Sequence, residues 1–100
     1  MAIAEVFIAP VGTGSTSLSD YVADIHRFLA REAGGIKYQL TAMGTILEGD
    51  LDELLALIRK MHEVPFEAGS KRVLTVLKID DRRDKKGTIE GKVKAVQEKL

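Results

Sequence analysis

The sequence contains no cysteine and no tryptophan, and neither sign of charge is in excess, because fifteen basic residues balance fifteen acidic ones. Without cysteine, disulfides, thiolate metal sites and cysteine nucleophiles are excluded. A chain without net charge lacks the global field that would attract nucleic acid or an anionic membrane surface. We therefore expect neither nucleic acid nor a membrane as a partner.

Long apolar runs are also lacking. The segment 1–12 holds Glu5 and Pro10 inside a short apolar stretch and has no basic leader, so it predicts neither a signal peptide nor a membrane helix. The default expectation is a cytoplasmic location. Apolar residues make up 45% of the chain and charged residues 30%, which is typical of a globular protein. Its length predicts a single domain over 1–100.

Apolar periodicity predicts the order β-α-β-β-α-β followed by a C-terminal helix. The predicted strands are 3–9, 37–41, 43–48 and 72–80, and the predicted helices are 18–32, 51–63 and 88–100. Ser17 or Ser19, Asp50 and Thr88 are the expected N-caps, and Pro65 is expected to end the second helix. This order predicts an α+β fold, a ferredoxin-like βαββαβ sandwich with an additional C-terminal helix.

Both faces of the first and the last predicted strand carry apolar side chains. In the last strand Leu74 and Val76 alternate with Val73 and Leu77, and the first strand repeats the pattern. A monomer would expose the second sheet face as an apolar patch. Self-association is the simplest cover for that patch, and Glu5 and Lys78 could pair within it.

Candidates for catalysis or metal binding are weak. The loop Gly12-Thr13-Gly14 matches no phosphate-binding motif. The two histidines each stand alone in a helix, without a ligand at metal spacing, and the acidic residues at 80–84 alternate with basic ones, as in a solvated loop. We expect no catalytic residue, no metal ligand and no enzyme activity, although catalytic groups can converge from distant positions. The singled-out histidines are His26 and His62.

The central strand pair is richer in binding chemistry. Tyr38, Thr41, Met43, Thr45 and Glu48 fall close together there. Tyrosine offers a π face to a cation, and hydroxyl and carboxyl groups offer directional hydrogen bonds. Strand propensity and edge polarity would explain the same residues, so both interpretations stay open on these grounds.

The segment Tyr38-Gln39-Leu40-Thr41-Ala42-Met43-Gly44-Thr45-Ile46-Leu47-Glu48-Gly49-Asp50 resembles the signature Y-x-L-T-x-M-G-T-x-x-E-G. That signature is typical of the thiamine-binding family once described as domain of unknown function 77, related to the YkoF proteins. The loop 10–19 and the segments 21–23, 72–73 and 78–84 resemble the family as well. The resemblance covers essentially the whole chain.

The resemblance implies a ferredoxin-like fold, dimers that pair into tetramers, and a thiamine or hydroxymethylpyrimidine ligand with no catalytic activity and no further cofactor. It carries over Tyr38, Thr45 and Glu48 from the signature, and Ser17 and Ser19 from the loop, as ligand contacts. Glu48 is the expected partner of a cationic ligand group. The alternative is a structural or regulatory homo-oligomer without a vitamin ligand.

Overall fold

Seven elements follow one another in the predicted order in the computed structural model, which describes all 100 residues. Their bounds are β1 Ala2–Pro10, α1 Ser19–Glu32, β2 Lys37–Thr41, β3 Gly44–Gly49, α2 Leu51–Glu67, β4 Val73–Asp81 and α3 Ile89–Gln97. The strands form one antiparallel sheet in the order β2-β3-β1-β4. The predicted α+β, ferredoxin-like class is confirmed. No helix has the length and apolar character that crossing a membrane requires.

The core lies between one face of the sheet and the helices α1 and α2. Because side chains alternate along a strand, the even-numbered residues of β1 all point into this layer and are at most 5% exposed from Ala2 to Ile8. Leu47 of the neighbouring strand and Leu29 of α1 are also fully buried. We call this side of the sheet the helix face, and the other side the open face.

The helix N-termini follow the expected pattern at two of three positions. Asp50 accepts a hydrogen bond from the backbone N–H of Glu53, and Thr88 accepts one from Gly91, so both predicted caps are confirmed. The first helix differs, because its N-cap is Leu18 and no side chain caps it.

The prediction that Pro65 ends the second helix is wrong, since α2 continues to Glu67. Pro65 lies in the last turn, so its missing N–H removes a single intrahelical bond. Its ring is less than 2% exposed and adds to the core. The buried face of α2 also differs from the prediction. Leu55, expected to face inward, is 41% exposed, and Leu57 is buried in its stead.

The helix α3 crosses the open face at one end of the sheet. The register aligns Lys37, Glu48, Ile3 and Asp80 in one row across all four strands. Ion pairs join Lys37 to Glu90, and Asp80 to Lys92 at 2.7 Å. The first turn of α3 is thus tied to both edge strands, although none of its residues is buried.

The rest of the open face stays uncovered. Glu5 and Lys78 form a cross-strand ion pair of 3.4 Å within the chain. Beyond that pair lie Phe7, Leu74 and Val76, of which the last two are 60% and 56% exposed. This is the apolar patch that the alternation of the end strands predicts.

Candidate functional site

A cavity of about 230 Å³ opens between the sheet and the start of α1. Ten of its thirteen lining residues are hydrophobic. The lining residues come from β1, from β2 and β3 with the turn between them, from α1 with its N-cap, and from α2. They include Leu18, Thr41, Met43, Gly44, Thr45 and Met61.

The β2–β3 turn forms the mouth of the cavity. Thr41 Oγ1 donates a hydrogen bond to the carbonyl of Gly44 at 2.9 Å and accepts one from the backbone N–H of Met43 at 3.3 Å. Gly44 lies so close to β1 that a Cβ atom would stand 2.7 Å from the backbone oxygen of Val6. The turn therefore holds Met43 outward, with 80% of the residue exposed.

Thr45 provides a buried polar group of the cavity wall, and His26 and Tyr38 lie behind it, outside the lining. Thr45 is 5% exposed, and its Oγ1 lies 3.0 Å from His26 Nε2. The Tyr38 ring packs edge-on against the His26 ring, with centroids 5.8 Å apart. Burial lowers the pKa of His26 below its ordinary value of 6.5, so the ring is neutral at neutral pH. A neutral imidazole either donates a hydrogen bond to the Thr45 hydroxyl or accepts one from it. In both cases the hydroxyl can form a further hydrogen bond with a ligand.

Ser17, at the end of the loop, and Ser19, the first residue of α1, lie beside the mouth. They flank Leu18, which lines the cavity. Their hydroxyls are exposed and lie 3.3 Å from each other. Neither is used as a helix cap, and neither lines the cavity itself.

Glu48 is separated from the other predicted contacts. Thr45 and Glu48 are three residues apart on β3, and an odd separation places two strand residues on opposite faces. Thr45 bonds to α1 on the helix face, whereas Glu48 stands in the open-face row under α3. The structure thus brings Tyr38 and Thr45 together, with the serines nearby, and places Glu48 elsewhere.

His26 is the site residue that sequence reasoning missed. Its partner Thr45 is nineteen positions away, so no local spacing indicates the pair. His62 makes a similar bond of 2.6 Å from Nδ1 to Thr75 Oγ1 and packs on Phe66, away from the cavity lining. No three histidine or carboxylate side chains converge as a metal ion would require.

The acidic and basic residues at 81–84, from the last residue of β4 into the following loop, pair with one another. Arg82 binds Asp84, and Arg83 binds Asp81 at 2.8 Å. The Arg82 hydrogen bond lowers the pKa of Asp84 to about 2. Residues 81–84 are exposed, which agrees with the prediction of a solvated loop.

With this geometry in place, comparison with known proteins identifies the family. A family model described as thiamine-binding protein matches residues 4–97. The chain belongs to the thiamine-binding protein family. Among curated relatives of this family member, the UPF0045 protein YqgV of Bacillus subtilis is 51% identical, over 100% of this chain and 98% of the relative.

Solved structures agree with the family assignment. The crystal structure of protein MJ1052 from Methanocaldococcus jannaschii has a TM-score of 0.84 and 42% identity, and the match covers 97% of this chain and 96% of that one. A domain of unknown function DUF77 from Bacillus cereus has a TM-score of 0.78 and 27% identity, over 92% and 86% of the two chains.

Proposed function

We propose that this thiamine-binding family member holds thiamine, or its hydroxymethylpyrimidine precursor, in the cavity between α1 and the sheet. The observation that carries the proposal is the buried hydroxyl of Thr45, which bonds to His26 and lines a mostly apolar cavity. Binding sites for small organic molecules typically combine apolar walls with a few fixed polar groups.

The wall chemistry suits one heteroaromatic ring. An aminopyrimidine presents an amino donor and ring-nitrogen acceptors, and a threonine hydroxyl can both donate and accept. Methionine sulfur makes favourable contacts with aromatic rings, and Met43 and Met61 both line the cavity. The volume of about 230 Å³ is below the roughly 300–1,000 Å³ of sites for drug-sized ligands. We therefore place one ring inside and the remainder of thiamine at the mouth.

The remaining predicted contacts have distinct parts in this proposal. Tyr38 orients the His26 ring through its edge contact, and His26 in turn orients the Thr45 hydroxyl. Ser17 and Ser19 meet the polar end of the ligand outside the mouth. Glu48 takes no part in this cavity.

The proposed role is binding without chemical conversion. The polar side chains that line the cavity are Thr41 and Thr45, and Thr41 is engaged in its own turn. A threonine nucleophile needs an adjacent base that a third group orients. His26 has Thr45 as its hydrogen-bond partner and no carboxylate on its other ring nitrogen, so we assign this pair a binding role.

We also propose that the protein assembles as a homotetramer, a dimer of dimers. The support is the apolar part of the open face around Leu74 and Val76, because burying such a patch by closed symmetry is the usual solution. The same face supports the second candidate function, a structural or regulatory oligomer without a vitamin ligand.

Calorimetric titration with thiamine and with hydroxymethylpyrimidine distinguishes the vitamin-binding function from the ligand-free oligomer. Thr45→Val removes the hydroxyl and keeps the shape, and a neutral hydrogen bond contributes about 0.5–1.5 kcal/mol, so affinity should fall about two- to twelvefold. Thr75→Val is the matched control, since it removes the hydroxyl that His62 contacts. Absence of binding to the wild-type protein would favour the ligand-free oligomer. Equal losses in both variants would place the site outside the cavity.

A further inference from the structure

One oxygen of the Glu48 carboxylate, Oε2, is buried without a hydrogen-bond partner. The whole residue is 6% exposed. An unpaired buried carboxylate oxygen opposes folding, because it has lost water and gained no donor. Its cross-strand neighbour Lys37 could have neutralised it, but that ammonium pairs with Glu90 of α3 instead.

Glu48 lines a groove of about 350 Å³ at the end of the sheet. Four carboxylates line this groove, and two cationic groups face them, the Lys37 side chain and the N-terminal ammonium of Met1, so negative charge is in excess. Ile36 and the backbone of Gly35 and Gly49 form its less polar wall. The carboxylates are Glu48, Asp50, Glu53 and Glu90.

We propose that this groove binds a small organic cation whose nitrogen donates hydrogen bonds, an ammonium or amidinium group, with Glu48 as its anchor. The proposal goes beyond the thiamine cavity, which lies on the opposite face of the sheet. It follows from three observations: the excess of negative charge in the groove, the orphaned oxygen at its wall, and the apolar surface beside it.

The donor requirement selects the type of cation. Oε2 lacks a hydrogen bond, and a charge-assisted N–H···O bond supplies both the missing donor and the missing charge. The carboxylates of the groove do not converge on one point as a metal site would, whereas an alkylammonium can lay its methylene body on Ile36 while its nitrogen meets Glu48. The Asp50 carboxylate already accepts the capping hydrogen bond from the backbone N–H of Glu53. The carboxylates of Glu53 and Glu90 remain to bind a second ammonium group of the ligand.

The test is an amide-resonance titration of the full chain with 1,4-diaminobutane. Saturable shifts are expected at Ile36, Lys37, Gly49 and Glu90, which surround the groove. Tetramethylammonium is the matched probe, since it carries the charge without an N–H donor, and it should bind at least tenfold more weakly. Equal binding of the two cations would overturn the proposal. So would displacement of the diamine by Mg²⁺ at equal concentration.

Two substitutions should change the affinity for the diamine in opposite directions. Glu48→Gln should lower diamine affinity about ten- to hundredfold, as expected for loss of a charge-assisted bond, and should raise the melting temperature of the free protein. Lys37→Gln should raise the affinity, because it removes the competing ammonium and frees Glu90. Glu67→Gln, at the far end of α2, is the charge-matched control and should change nothing. Unchanged affinity in both Glu48→Gln and Lys37→Gln would refute the site.

Failure of the two proposals can be told apart. If thiamine does not bind the wild-type protein while the diamine does, the proposed function fails and the groove stands. If hydroxymethylpyrimidine shifts the resonances around Glu48 and leaves those around Thr45 unchanged, the vitamin cavity fails, and the aminopyrimidine is itself the nitrogen donor of the groove.

Discussion

The close approach of the β2–β3 turn to β1 gives a quantitative prediction at Gly44. In Gly44→Ala the new methyl group would stand 2.7 Å from the carbonyl oxygen of Val6, below the 3.0 Å that real Cβ atoms essentially never cross. Neither group can rotate away, because the oxygen belongs to the backbone and the methyl group has no rotamers. One of the two strands must shift by several tenths of an ångström.

Overpacking of this kind costs about 1–3 kcal/mol. For a domain of this size, each kcal/mol lowers the melting temperature by about 4–8 °C. The shift falls where Val6 pairs with Thr45, so it also displaces the Thr45 hydroxyl from His26. We expect Gly44→Ala to lose stability and to bind the proposed vitamin ligand more weakly than the wild-type protein does.

Urea denaturation at fixed protein concentration is the assay, since assembly makes stability depend on concentration. Gly35→Ala is the matched control, because a Cβ there meets nothing within 4 Å. If Gly44→Ala and Gly35→Ala unfold at the same urea concentration, the turn is free to move, and the argument that Gly44 sets the mouth of the cavity is refuted.

Three further predictions concern the pH response, the assembly and the caps. Burial lowers the pKa of His26 below 6.5, so near and below that pH the unfolded chain binds more protons than the folded chain does. The free energy of unfolding should therefore fall as the pH drops from about 7.5 to 5.5. Urea midpoints will show this fall, which should be smaller in His26→Gln. Val76→Glu places a charge in the proposed subunit contact and should reduce the particle mass in light scattering; an unchanged mass would move the contact elsewhere. Asp50→Ala should cost about 0.5–2 kcal/mol, and Thr88→Ala should have a smaller effect on the global transition, because α3 buries no residue; equal urea shifts would contradict this.

The element order could be predicted from the sequence because local signals mark most of the boundaries. Alternation along β1 and the cap at Asp50 are properties of neighbouring residues, and the structure reproduces both. Pro65 misled the prediction because its effect depends on where it falls in the helix. A proline in the last turn costs a single bond, and the core contact of its ring is not a local property.

The candidate site could be predicted from the sequence only in part. The signature segment holds Tyr38, Thr45 and Glu48 together in sequence, but strand alternation divides them between two faces. The pairing of His26 with Thr45 depends on how α1 packs over β3, which no spacing encodes. The burial of Glu48 likewise depends on a helix forty residues further along the chain.

The attachment of α3 has a consequence for the accessibility of the open-face row. Two exposed ion pairs, Lys37–Glu90 and Asp80–Lys92, tie this helix to the sheet, and such pairs contribute about 0–1 kcal/mol each. The helix can therefore undock while the core stays folded, a local opening that amide hydrogen exchange detects. Salt weakens both ties at once. We therefore expect higher ionic strength to speed amide exchange in α3 and to increase the exposure of Glu48, while the core amides keep their protection.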